Sequence, residues 1–168
     1  MLRRLLLPAA LAAVLAAGGC GGGSGDKGSS TTSTTVGAEQ ARAYKLTVQG
    51  ILRSVGTAGR SLVVSVRAAS SLSDVARALA AFRASVDQAA VRLDASRAPP
   101  TAAAGQRHLS RTLREIAAGT APTIRAARAG DRPAFRREFL AYQRKLNGVY
   151  RVRLRAAGDE IDRALARP

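Results

Sequence analysis

His108 is the sole histidine and Cys20 the sole cysteine of this 168-residue chain, so acid–base or thiol chemistry would have to start from one of them. An imidazole acting as general base, or binding a metal, needs an oriented partner or a second ligand. None is visible around His108, whose near neighbours are Arg107 and Arg111, and the position reads as a partly exposed helix residue. Asp159, Glu160 and Asp162 form the densest acidic group. A calcium loop requires more oxygen ligands at a defined spacing, so these acids are expected to offset nearby arginines, as in an Arg155–Asp159 pair one helical turn apart. The chain contains no HExxH, no phosphate-binding glycine loop, no paired Glu-x-x-His and no nucleophile elbow. The expectation is a protein that is not an enzyme, with no catalytic residue, no metal site and no bound cofactor.

Charge supplies the one lead within the body of the chain. Lysine and arginine number 27 against 11 acids, 24 of the basic residues being arginine, for a formal charge of +16. Arg132, Arg136, Arg137, Arg144, Lys145, Arg151, Arg153 and Arg155 face a single acid, Glu138, between residues 132 and 155. A surface of that kind attracts polyanions, and each basic residue beside an anionic membrane contributes about 1 kcal/mol. The competing explanation is compositional: a GC-rich genome enriches arginine and alanine. Nucleic acid fits poorly as a partner, because no zinc-ligand spacing, basic zipper or RNA-binding aromatic motif occurs. Phe82, Phe135, Phe139 and Tyr142 fall on apolar stripes and are not free to stack on bases.

The N-terminus is of a different character. Met1-Leu2-Arg3-Arg4 precedes a 13-residue run, Leu5 to Ala17, that leads to Gly18-Gly19-Cys20. A short basic start, an apolar stretch below the ~20 residues of a spanning helix and a small-residue cleavage site make an export signal over residues 1–19. The segment Leu15-Ala16-Ala17-Gly18-Gly19-Cys20 resembles the lipobox of bacterial lipoproteins. It departs from the usual pattern in carrying Ala17, not a larger aliphatic residue, three places before the cysteine. The resemblance implies that Cys20 is lipidated through its thiolate and becomes the first mature residue, leaving a charge near +14 without Arg3 and Arg4. Two or more acyl chains hold a protein stably on a bilayer where one does not. The expected location is the extracytoplasmic face of the cell membrane, with the covalent acyl lipid on Cys20 as the only non-protein group.

Residues 20–37 follow as the lipidated cysteine and a flexible Gly/Ser/Thr linker, with almost nothing apolar to bury. Residues 38–168 have the length of one domain and a helical pattern. Ala41, Tyr44, Val48, Ile51, Val55, Ala58, Leu62 and Val66 recur at steps of three and four, although Gly50, Gly56 and Gly59 weaken a helix and residues 61–66 have a strand-like look. Leu72, Val75, Leu79, Phe82, Val86, Ala89 and Leu93 make an unbroken stripe, with Ser71 or Ser73 as cap and Asp74 in the first turn. After Pro99-Pro100, Thr101 is positioned to cap a third helix through Leu109, Leu113, Ile116, Ala117 and Ile124, which Pro122 should kink or split. Gly130-Asp131 stops and restarts the chain, and Phe135, Phe139, Tyr142, Leu146, Val149, Leu154, Ala157, Ile161 and Leu165 carry the last helix. Four amphipathic segments with short connections predict an all-α fold, an antiparallel up-down-up-down four-helix bundle.

The order of lipobox, linker and alanine- and arginine-rich helices is similar to that of uncharacterised actinobacterial lipoproteins, as is Leu93-Asp94-Ala95-Ser96-Arg97-Ala98-Pro99-Pro100 followed by His108-Leu109. The resemblance implies a helical bundle outside the membrane and carries no catalytic residues. The expected function is a membrane-anchored, non-enzymatic binding or scaffold module of the cell envelope. Its arginine-rich surface would meet anionic lipids or cell-wall polymers, and an envelope or membrane protein is a further partner class. The alternative is a sensor or carrier holding a small apolar or amphipathic ligand between its helices.

Overall fold

Spacing of three and four between apolar residues dictates helices, and helices are what form. The computed structural model describes residues 32–166, with side chains from Gly37 onward. Cys20, the signal segment and the first part of the linker lie outside the described residues. The elements are α1 (Thr32–Ala68), α2 (Leu72–Ala95), a 3₁₀ turn (Pro100–Ala102), α3 (Ala103–Gly119), α4 (Ala121–Arg128), α5 (Arg132–Lys145), a π turn (Leu146–Tyr150) and α6 (Arg151–Leu165). No strand occurs among the described residues. Four helical units pack together: α1, α2, the α3–α4 pair, and the α5–π–α6 run, whose junction residues all keep helical backbone angles. Because α1 starts at Thr32, residues 32–37 are helical where a flexible linker was expected. Extension is cheap once the packed part of a helix has nucleated.

The stripes become the core. Tyr44, Val48, Ile51, Val55, Leu62 and Val66 of α1 meet Val75, Leu79, Phe82, Val86, Ala89 and Leu93 of α2, with Leu109, Leu113, Ile116 and Ile124 completing the interior. The glycines and the β-branched run at 61–66 do not interrupt α1. Ser71 is the cap of α2: its hydroxyl accepts from Asp74 N–H, and the Asp74 carboxylate accepts from Ser71 N–H in return. Hydrogen bonds from the Ser71 and Ser70 hydroxyls and from Arg77 hold the Asp74 carboxyl well below the usual carboxylate range. Asp131 caps α5 through Ala134 N–H at 2.9 Å, and Gly130 supplies the positive φ of 70° that the reversal before it requires. Thr101, by contrast, sits inside the 3₁₀ turn, and α3 begins at Ala103 with Ala102 at its cap position and no side-chain cap. The proline pair bends the chain into that tighter turn, so the helix starts a residue later than Thr101 could serve.

Pro122 splits the third segment. Thr120 N–H donates three residues back to Ala117 O at 3.2 Å, and α4 starts afresh with the proline in its first turn. Ile116 O, which Thr120 would otherwise satisfy, accepts instead from the Tyr142 hydroxyl at 3.0 Å. The Tyr150 hydroxyl donates to Glu115 O at 3.3 Å. The Tyr142 ring and the Tyr150 hydroxyl lie against Gly119, where an added Cβ would fall 3.1 Å from a Tyr142 ring carbon and 3.3 Å from the Tyr150 oxygen. The carbonyl left over at the break is thus satisfied by a tyrosine from the next helix.

Val149 departs from the expected stripe. It is 49% exposed, whereas Tyr150 is 8% exposed. The π turn at Leu146–Tyr150 adds a residue to one helical turn, so the buried sequence runs Tyr142, Leu146, Tyr150, Leu154, Ala157, Ile161. The five-residue step from Val149 to Leu154 already marked the place.

Candidate functional site

All eight basic residues between Arg132 and Arg155 are exposed. Two of them meet carboxylates: Arg137 pairs with Glu138 at 3.1 Å, and Arg153 reaches across to Glu115 of α3 at 2.5 Å. Arg144 Nε touches only Leu140 O of its own helix. Arg132, Arg136, Arg144, Lys145, Arg151 and Arg155 have no ion-pair partner among the described residues. The stripe of Tyr142, Leu146, Tyr150 and Leu154 turns one side of this helix inward. Opposite it stand Arg136, Leu140 and Arg144 at steps of four and, beyond the π turn, Val152 and Arg155 three residues apart. Leu140 is 44% and Val152 64% exposed, so two aliphatic side chains sit among the cations. Arg153 belongs to a cross-helix contact and not to this outer face.

The acids near the C-terminus do not pair with the arginine that precedes them. Glu160 Oε2 lies 2.8 Å from His108 Nδ1, and Asp162 is 2.8 Å from Lys45 Nζ of α1. Arg163 Nε donates to Asp159 O. No Arg155–Asp159 bridge forms: contacts between helices take up two of the three acids. His108 therefore has an oriented carboxylate partner 52 residues away, which no local pattern announces. Groups of three or more His, Cys, Asp or Glu side chains able to hold a metal do not occur among the described residues.

A second basic cluster lies on α3. Arg107, Arg111 and Arg114 are spaced by four and three residues and line an open groove with Asp94, Ser110 and Glu115, of volume about 470 Å³. Arg114 pairs with Asp94 at the end of α2, and Glu115 with Arg153. Ser110 is 2% exposed, and its hydroxyl has no hydrogen-bond partner among the described residues. The interior is filled by fully buried Leu79, Leu93, Leu109 and Leu113.

Burial raises all three tyrosine hydroxyls. Tyr44 is pushed up to about 12. Tyr142 is raised further, by burial first and then by neighbouring Tyr150. For Tyr150 burial leads, Glu115 adds to the rise and Arg153 opposes it. Tyr44 also joins three segments at one end of the molecule: its hydroxyl donates to Gln106 Oε1 at 3.3 Å, and Gln106 Nε2 donates to Leu93 O and Ser96 O.

No described helix is long and apolar enough to cross a membrane. The chain matches no family model, no curated protein and no solved structure. The α3 groove escaped the sequence reading because its cations are fewer than those of the last helix. The available signal was Arg107, Arg111 and Arg114 bracketing a serine next to the core position Leu109.

Proposed function

We propose that this protein is a non-enzymatic envelope-binding module, tethered to the outer face of a membrane through lipidated Cys20, whose last helix docks on anionic surfaces. The observation that carries the reading is the outer face of α5–α6, where exposed Arg136, Arg144 and Arg155, without ion-pair partners among the described residues, are interleaved with exposed Leu140 and Val152. Cations without carboxylate partners keep their field for an outside anion, and the two aliphatic residues suit the boundary between headgroups and acyl chains. Anionic lipid headgroups match both features, while a cell-wall polymer would use the charge alone. An antiparallel up-down-up-down arrangement belongs to the same proposal. It is supported by contacts that gather the N-terminal half of α1, the end of α2, the start of α3 and the end of α6: Tyr44–Gln106, Gln106–Leu93 and Lys45–Asp162. That arrangement exposes the length of the last helix on one side.

The test uses the full chain carrying Cys20→Ser, so that no acyl group contributes, in co-sedimentation with anionic and neutral vesicles across a salt series. Binding should favour anionic vesicles and fall steeply as salt rises. Replacing Arg136, Arg144 and Arg155 by glutamine should weaken it about 100-fold, at about 1 kcal/mol per residue. Equal binding to neutral vesicles, or an unchanged triple variant, would refute the reading.

A further inference from the structure

We propose that the α3 groove is a binding site for a dianionic phosphoryl group, held by Arg107, Ser110 and Arg111. This site is separate from the outer face of the last helix. Its charge is the first support. Arg114 and Asp94 neutralise each other, as do Arg153 and Glu115, while Arg107 and Arg111 have no ion-pair partner among the described residues. The groove therefore keeps two uncompensated positive charges, one helical turn apart, and a phosphomonoester carries a matching charge near neutral pH. Guanidinium forks suit phosphate oxygens geometrically as well.

Ser110 is the second, independent support. A buried hydroxyl normally finds a partner, and nearby Thr112 does so by donating to His108 O at 2.9 Å. Ser110 forms part of the groove wall and has none among the described residues. Arg107 and Arg111 are exposed and line the same groove, and a phosphoryl oxygen held between them would accept the hydroxyl proton. Asp94 and Glu115 share the groove. Engaged with arginines, they work against a cation and leave only the Arg107–Arg111 side open to an anion. The groove is open to solvent, so an organic substituent on the phosphoryl group can extend outward from it.

The experiment is a titration of the ¹⁵N-labelled full chain carrying Cys20→Ser with inorganic phosphate and with glycerol 3-phosphate, at constant ionic strength against chloride. Saturable shifts should centre on amides of residues 107–114. Arg107→Gln with Arg111→Gln should weaken binding at least about tenfold, and Ser110→Ala about fivefold, the sizes expected for losing charged and neutral-donor hydrogen bonds to an anion. Both variants keep the core intact, which an unchanged helical circular dichroism spectrum would verify. Arg136→Gln with Arg144→Gln should leave phosphate affinity as it was, separating this site from the docking face. Competition by vesicles containing phosphatidic acid would assign the group to a lipid headgroup, and its absence to a soluble phosphomonoester; either supports a phosphoryl site. Shifts that chloride reproduces, that fall on residues 132–155, or that survive Ser110→Ala and the double arginine change unaltered would overturn the proposal.

Discussion

Replacing Tyr142 by phenylalanine removes one oxygen atom from a side chain that is 3% exposed, and the consequence can be worked out from the helix break. Ile116 O lies where Pro122 has forced a new start, and Thr120 N–H has turned to Ala117 O. Its partner is the Tyr142 hydroxyl at 3.0 Å. Removing that donor leaves a buried carbonyl unsatisfied, a loss of about 1–3 kcal/mol against the 0.5–1.5 of an average hydrogen bond. The ring stays packed against Gly119, so no cavity beyond the hydroxyl opens. Urea unfolding followed by helical circular dichroism should show an unchanged slope. With slopes of about 1–3 kcal/mol/M for domains of this size, the midpoint should fall by roughly 1 M. Tyr150→Phe is the internal comparison: its hydrogen bond is longer, 3.3 Å, and only partly buried, so its effect should be under half as large. If Tyr142→Phe is as stable as the parent, water or a local adjustment already serves Ile116 O, and Tyr142 is not what satisfies the carbonyl at the break.

Three further outcomes can be checked on the same chain. Gly105→Ala should destabilise by about 1 kcal/mol or more in urea melts despite the better helix propensity of alanine, because its Cβ would fall 2.7 Å from Ile161 Cγ1 and 3.2 Å from Ile161 N. Gly50→Ala, with open space around it, should gain up to about 1 kcal/mol, and equal effects at the two sites would refute the packing of α3 on α6. Ser71→Ala, which removes the α2 cap, should lower unfolding free energy by about 1 kcal/mol; calorimetry showing no change would dismiss the capping box. At alkaline pH the three raised tyrosines make stability fall. Folded hydroxyls keep their protons while unfolded ones lose theirs, so the contribution is intact below about pH 10 and is lost as pH rises through the folded value, about 12 for Tyr44. The slope should approach about 1.4 kcal/mol per pH unit for Tyr44 and for Tyr142, with a smaller contribution from Tyr150, where Arg153 opposes the rise. Tyrosinate absorbance should therefore rise together with unfolding, and tyrosine ionisation in a chain still folded would contradict the burial.

Why some of this was legible in the sequence follows from the range of the forces involved. Stripes such as Val75, Leu79, Phe82 and Val86 repeat because neighbouring turns of one helix bury one side. Ser71, Gly130 and Asp131 act on backbone groups within a few residues. Both depend on local geometry and can be read from spacing. Tyr150 replaced Val149 in the core because one π turn re-phased everything after it, a local event whose trace was a single five-residue step. Thr101 failed as a cap for a similarly local reason, the 3₁₀ turn that follows two prolines. Contacts between helices left no such trace: nothing in the order of residues pairs His108 with Glu160, Lys45 with Asp162, or Tyr142 with Ile116 O.

The same distinction governs the charge. Counting put weight on the eight basic residues of the last helix, yet pairing decides which of them face outward with their field intact. Arg153 is spent on Glu115, and in being so it frees the α3 groove of one of its two carboxylates; Arg114 frees it of the other. Residues 107–114 hold fewer cations than residues 132–155, but the two without ion-pair partners among the described residues line the same groove as a buried hydroxyl that also lacks a partner there. A diffuse basic face attracts any anionic surface, with affinity that salt erodes. A pair of guanidinium groups one turn apart, backed by a buried donor, discriminates by geometry. Under the proposed function, the first would bring the chain to a surface and the second would choose what it holds there. Losing the outer arginines should therefore reduce capture by vesicles while leaving the preference for phosphate over chloride intact.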